Sequence, residues 1–185
     1  IDIVPKKDKS GIDIIIKPNT KGETVYIPAL ITHENVKDLV YNDFYVGEGS
    51  DIIISAGCGV HNDGCGTSEH NGIHRFFIGK NAHVLYLEKH VGTGEGEGKK
   101  VINPETYVEI EQDGYLEMDT VQIGGVDSTK RNCEAILKEG AKIVVKEKIM
   151  TDGEQFAETK FKVELNGEDS AANLISRSVA KGNSH

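Results

Sequence analysis

One short pattern recurs five times along the chain and restricts its fold more than any other feature. An apolar residue is followed by two polar or glycine residues, a turn residue, a small residue, one further residue and a second apolar residue. It occupies residues 46–52, 78–84, 110–116 and 137–143 and, more loosely, 165–171, with starts offset by 32, 32, 27 and 28. Asn, Asp and Gly at its centre supply the left-handed or tight-turn backbone that a chain reversal needs. Between the repeats, Tyr107-Val-Glu-Ile-Glu111 and Phe161-Lys-Val-Glu-Leu165 alternate apolar and charged residues, the signature of strands with one wet face. A helical period is nearly absent; its one weak candidate is 35–41, where Val36, Leu39 and Val40 share a face.

Such a repeat fits either a sandwich of successive hairpins or a solenoid in which each unit is one corner of a coil. A single corner type recurring at near-constant spacing favours the solenoid, an all-β parallel β-helix. A left-handed hexapeptide helix lacks its six-residue apolar beat. In register, positions six past each start are Ile52, Val84, Leu116, Ile143 and Ala171; positions eight past are Ile54, Tyr86, Met118, Val145 and Asn173. Both columns are mostly core residues. Twelve past stand Cys58, His90, Gln122, Ile149 and Arg177. Column neighbours in a parallel ladder sit about 4.8 Å apart, so Cys58 and His90 are expected side by side on consecutive coils. Glu88 and Glu147 share the column ten past the start, and an inward carboxylate there needs a partner.

Composition removes several functions. With 21 Lys and Arg against 30 Asp and Glu, the formal charge of −9 opposes non-specific nucleic-acid binding. No apolar run approaches the length of a membrane span. Three cysteines make no disulfide framework, which fits a reducing, cytoplasmic setting. The chain begins at Ile1 with no secretory signal pattern and ends on a polar stretch, so it reads as a segment of a longer protein.

The densest polar constellation runs from Cys58 through His61, Cys65 and His70 to His74: two thiols and three imidazoles in 17 residues, with four glycines between them. These donors suit zinc or iron, yet the spacing is not that of a zinc finger, and Gly72 between the last two histidines points to a loop. A metal-binding loop and a polar loop bonded to its own backbone both remain open. Cys133, before an alternating strand, is expected to be a small buried residue rather than a reactive thiol. The glycine-rich stretch 92–100 has no Lys-Ser or Lys-Thr and no following helix, and is expected to be a flexible loop, not a phosphate site. Gly-x-Ser-x-Gly does not occur. Without tryptophan or clustered acids beside aromatic platforms, a carbohydrate-active β-helix enzyme is disfavoured.

Five segments carry a resemblance. Val40-Tyr-Asn-Asp-Phe-Tyr-Val-Gly47, Ala56-Gly-Cys-Gly-Val-His-Asn-Asp63, Ser68-Glu-His-Asn-Gly-Ile-His-Arg-Phe-Phe77, Val121-Gln-Ile-Gly-Gly-Val-Asp-Ser-Thr-Lys130 and Leu174-Ile-Ser-Arg-Ser-Val-Ala-Lys181 are similar to the SufB/SufD family of iron–sulfur cluster assembly. The nearest likeness is to short SufB-like members of archaea and anaerobic bacteria. The resemblance implies a right-handed parallel β-helix over residues 1–185, lacking the family's N- and C-terminal helical parts. It implies a non-enzymatic, cytoplasmic scaffold working with a SufC-like ABC-type ATPase, a SufB- or SufD-like subunit or second copy, and a desulfurase sulfur donor. An iron–sulfur cluster is expected in the full-length complex, with none on this segment.

Two departures qualify that expectation. Scaffolds of the family carry a cysteine, resembling a sulfur-receiving residue, where Tyr86-Leu-Glu-Lys-His90 ends in histidine. The family's cluster ligands and ATPase-gripping helices lie downstream of residue 185. The column alignment offers Cys58 as the missing thiol, its pKa lowered by a neighbouring His90 imidazolium. A SufD-like structural partner and a β-helical metal module using 58–74 are the alternatives.

Overall fold

The computed structural model describes all of residues 1–185. It contains no helix, is 68% strand, and forms a β-solenoid of about six turns. The strands are β1 (Asp2–Pro5), β2 (Gly11–Ile16), β3 (Lys21–Ile31), β4 (Lys37–Val46), β5 (Asp51–His61), β6 (Ser68–Ile78) and β7 (His83–Thr93). They continue as β8 (Lys100–Ile102), β9 (Glu105–Ile110), β10 (Tyr115–Ile123), β11 (Ser128–Leu137), β12 (Lys142–Gly153), β13 (Phe156–Leu165) and β14 (Ala171–Gly182). From β2 onward successive strands alternate between two sheets, with β8 and β9 together filling one place. One is ordered β1-β2-β4-β6-β8-β11-β13, with β9 between β6 and β11; the other is β14-β12-β10-β7-β5-β3. Every pairing is parallel except in the opening hairpin of β1 and β2, so a sandwich of successive hairpins is excluded and from β2 onward each coil stacks on the last.

The corners explain the repeat. Gly49, Asn81, Asp113 and Gly140, each three past a repeat start, take positive φ between 53° and 65°. Each donates its backbone N–H to the next coil: Gly49 to Lys80, Asn81 to Gln112, Asp113 to Glu139 and Gly140 to Glu168, at 2.8–3.0 Å. A left-handed residue therefore joins one corner to another and extends the ladder around the bend. Asn19, with φ 62°, bonds Glu48 and makes a further corner after Ile16. The repeat hides it, because a bulge between Lys21 and Glu23 puts Gly22 where the apolar residue belongs.

The columns pair as aligned for four coils: Ile52–Val84–Leu116–Ile143 and Ile54–Tyr86–Met118–Val145. On the last coil the alignment slips by one residue. Ala172, Leu174 and Ser178 pair with Ile143, Val145 and Ile149, in place of Ala171, Asn173 and Arg177. The cause is one extra residue in that corner, whose left-handed position is Asp169, four past Leu165. The helix candidate 35–41 is instead a corner with Asn35 at φ 58°, followed by β4 paired in parallel to β6. Positive φ stops a helix at its first residue.

Twenty-three buried side chains form the main core, among them Phe44 stacked on Phe76 at 4.5 Å, with the edge of Tyr86 against Phe76. A small second cluster of Cys58, Val60, Ile102 and Val126 lies toward the other end of the strands. The 94–98 loop rests on the preceding coil, where Gly96 and Gly98 donate to the carbonyls of Asn62 and Gly64. No helix is long and apolar enough to cross a membrane.

The corner geometry sets a testable order of stability. Asn81→Gly should match or slightly exceed the parent, whereas Asn81→Val should lose about 1–2 kcal/mol, because a β-branched residue resists left-handed backbone. Urea unfolding midpoints check this; equal losses for both substitutions would show that the Asn81 side chain, not its φ, is what the corner needs.

Candidate functional site

Between the two apolar clusters the solenoid interior is polar. Strand alternation turns Tyr86, Glu88 and His90 of β7 inward, with Cys58 on β5, Thr120 and Gln122 on β10, Glu147 on β12, Arg131 on β11 and His74 on β6. All are buried. Glu88 is the centre. Its Oε2 accepts from Arg131 Nη1 at 2.8 Å and its Oε1 from the Tyr86 hydroxyl at 2.8 Å. Since that hydroxyl spends its one proton on Glu88, it accepts from His74 Nδ1 at 2.9 Å. His74 is then a neutral Nδ1–H tautomer whose Nε2 faces the Asn42 amide at 3.5 Å. Arg131 reaches the second carboxylate too, its Nε 3.7 Å from Glu147, which also accepts from Thr159 and Ser176 at 2.9 Å. The partner that an inward carboxylate needs is thus one arginine from the facing sheet.

Electrostatics follow from burial and this arginine. Burial works against the Glu88 carboxylate, but Arg131 and the imidazoles outweigh it and hold the group well below the usual carboxylate range. Burial likewise opposes the Arg131 charge, and Glu88 more than restores it. Burial pushes His74 down to about 4 and Cys133 up to about 12. The Cys58 thiol is also driven well up, by burial first and then by Glu88, against the expectation of an activated thiolate.

The register puts Cys58 directly beside His90, as the column alignment expects. A sulfur of Cys58, a carboxylate oxygen of Glu88 and a ring nitrogen of His90 lie within 4.8 Å of one another, the one group of three such donors in the molecule. His90 Nδ1 contacts Gln122 Oε1 at 3.4 Å and Arg131 Nη2 at 3.3 Å. His90 Nε2, 3.4 Å from Glu88 Oε1, has no hydrogen-bond partner, and neither has Thr120 Oγ1.

The constellation 58–74 does not converge on one point. Only 62–67 is loop; Cys58 and His61 belong to β5, and His70 and His74 to β6, in the other sheet. Cys58 faces the interior. His61 sits at the rim, bonded to Thr93 at 2.9 Å and Asp63 at 3.0 Å. Cys65 is exposed, and its backbone N–H donates to Glu34. His70 is buried against Asp38 at 2.7 Å. The loop itself bonds its own backbone through Asn62, to the Gly66 carbonyl and the Gly64 N–H. Gly72 occupies a strand, beneath the His70 and His74 rings.

Two consequences are measurable. Glu88→Gln leaves the Arg131 charge short of its closest partner and should cost about 3–5 kcal/mol, while Glu88→Leu with Arg131→Met should cost clearly less than the two single changes summed. Denaturation of the four proteins closes that cycle; strict additivity would refute the pairing. Secondly, His74 binds fewer protons folded than unfolded between pH 6.5 and about 4, so stability falls as pH drops through that window, by roughly 3 kcal/mol at most. In His74→Asn this part of the pH–stability curve should flatten; an unchanged slope would place the acid sensitivity elsewhere.

Comparisons with known proteins identify the family. Residues 34–185 match the family described as SUF system FeS cluster assembly, SufBD core domain. An "Iron-sulfur cluster assembly SufBD family protein" of Archaeoglobus fulgidus is 26% identical over 176 residues, covering 95% of this chain. The chain spans about half of that relative, 46% of its length. No solved structure matches. A parallel solenoid matched over most of its length by this one family has a plain assignment: the chain belongs to the SufBD core-domain family of the SUF iron–sulfur cluster assembly system.

Proposed function

We propose that this chain is the scaffold-side component of a SUF-type assembly complex, working in the cytoplasm beside a SufC-like ABC-type ATPase and having no turnover of its own. The observation that carries this reading is the family match over residues 34–185, set on a solenoid whose interior holds a thiol, an imidazole and a carboxylate together. A SufB- or SufD-like subunit, or a second copy, would complete the complex, and a desulfurase system would deliver sulfur. Any iron–sulfur cluster belongs to the full-length complex as its cargo.

A second reading, a SufD-like partner that carries no cluster, is favoured by two details. By the family resemblance His90 stands in the place of a cysteine, and the Cys58 thiol beside it is held protonated by burial and by Glu88. A protonated thiol is a poor acceptor of sulfur.

Anaerobic reconstitution of the full-length protein with ferrous iron and sulfide, with and without its co-expressed ATPase, separates the two. The scaffold reading expects co-purification with the ATPase and a visible-region chromophore that Cys58→Ser or Cys65→Ser diminishes. Co-purification without any chromophore supports the structural partner; absence of both overturns membership in such a complex.

A further inference from the structure

The interior of the solenoid contains donors that no hydrogen bond uses. His90 is 1% exposed, and its Nε2 makes no aligned hydrogen bond although Glu88 Oε1 lies 3.4 Å away. A buried polar atom left unmade costs about 1–3 kcal/mol, so an orphan at the centre of an otherwise satisfied network marks a place for something else. Thr120 Oγ1, on the cross-strand neighbour of Glu88, is a second orphan at the same level of the coil. Cys58 adds a thiol from the adjacent strand.

We infer that Cys58, Glu88 and His90 form a mononuclear site for a borderline divalent cation, Zn2+ or Fe2+, inside the solenoid. Thiolate, imidazole and one carboxylate are the donors such ions take, whereas Mg2+ and Ca2+ require many oxygens that this place lacks. The dimensions fit after small rotamer changes. Metal–ligand bonds of about 2.0–2.3 Å in tetrahedral geometry hold donor atoms roughly 3.3–3.8 Å apart. Here Glu88 Oε1 and His90 Nε2 already stand at 3.4 Å, and all three donors lie within 4.8 Å. A water completes the fourth position. His90 Nδ1 lies between Gln122 Oε1 at 3.4 Å, which accepts its proton in the tautomer that leaves Nε2 free for the metal, and the Arg131 Nη2 donor at 3.3 Å, which must then turn to the carboxylates.

Charge supports the same assignment. The interior opposes two carboxylates, Glu88 and Glu147, with the single guanidinium of Arg131. A divalent ion together with a Cys58 thiolate contributes one net positive charge and brings that set to neutrality. Glu88 serves both sides at once, Oε2 toward Arg131 and Oε1 toward the site. Because Cys58 is a thiol before the metal arrives, binding must release its proton, and affinity rises with pH. The site is separate from the 58–74 constellation, of which it uses Cys58 alone.

The inference goes beyond the scaffold reading, since a resident ion is compatible with either role of the chain, and its test needs no sulfide. The metal-free chain is titrated anaerobically with Co2+ in weakly buffered solution, then with competing Zn2+. Expected are one ion per chain, a tetrahedral cobalt spectrum with a thiolate charge-transfer band, and release of about one proton. Cys58→Ser should abolish the charge-transfer band and His90→Ala should weaken binding at least tenfold, while Cys65→Ser changes neither. Should Cys58→Ser fail to fold, zinc-edge X-ray absorption on the Cys65→Ser protein reads the site directly, with one sulfur and the rest nitrogen or oxygen expected. No saturable binding, a shell without sulfur, or a band lost with Cys65 instead of Cys58 would overturn the site. If the chain binds cobalt here yet reconstitutes no cluster, the site stands and the scaffold reading falls.

Discussion

Parallel, in-register stacking is the constraint on which the molecule depends. Once β5, β7, β10 and β12 pair at ladder spacing, a residue's neighbours are its equivalents one coil above and below. The interior is therefore a set of columns, and a column works only if its members tolerate one another at close range. Ile52, Val84, Leu116 and Ile143 do so by packing. Farther along the same strands the rule turns into a chemical demand, since Ala56, Glu88, Thr120 and Glu147 share one column and two of them carry negative charge.

The charge is met from across the interior, while Ser176, the next member of the column, adds a hydrogen bond to Glu147. Arg131 rises from the opposite sheet and divides its guanidinium between Glu88 and Glu147. A buried ion pair of this kind recovers little net free energy against an apolar filling. What it does provide is a definite arrangement: with Tyr86 and His74 it fixes the proton positions from Asn42 to Glu88 and orients the Glu88 carboxylate. The apolar clusters on either side keep water away, so each charge acts at low dielectric. Enclosure by itself pulls His74 down and Glu88 up, and Arg131 reverses the second.

How much of this the sequence reveals depends on whether a residue belongs to a repeating column. The corners are legible because left-handed backbone selects Asn, Asp or Gly, and the Cys58–His90 adjacency follows by counting from them. Counting fails where a corner gains a residue, as at Asp169, or where a bulge displaces the marker, as at Gly22. It is silent about Arg131, because the repeat relates strands within one sheet and carries no information about which residue of the facing sheet meets them. The 58–74 constellation misleads for a related reason. Proximity along the chain suggests one ligand set, but alternation and the change of sheet send His61 and Cys65 outward while Cys58, His70 and His74 turn in.

Enclosure also decides how such chemistry can be reached. Cys58, Glu88 and His90 are each at most 6% exposed, and the coil around them is closed by backbone ladders on both sheets. An ion or a sulfur atom enters only if a coil opens, which breaks several ladder bonds together and uncovers part of the core. Spontaneous opening is rare in a solenoid whose stability is shared between neighbouring coils. Under the function proposed above, a partner that converts nucleotide hydrolysis into movement would supply the missing free energy. The interior sets which atoms are held, and coil opening sets when they are exposed.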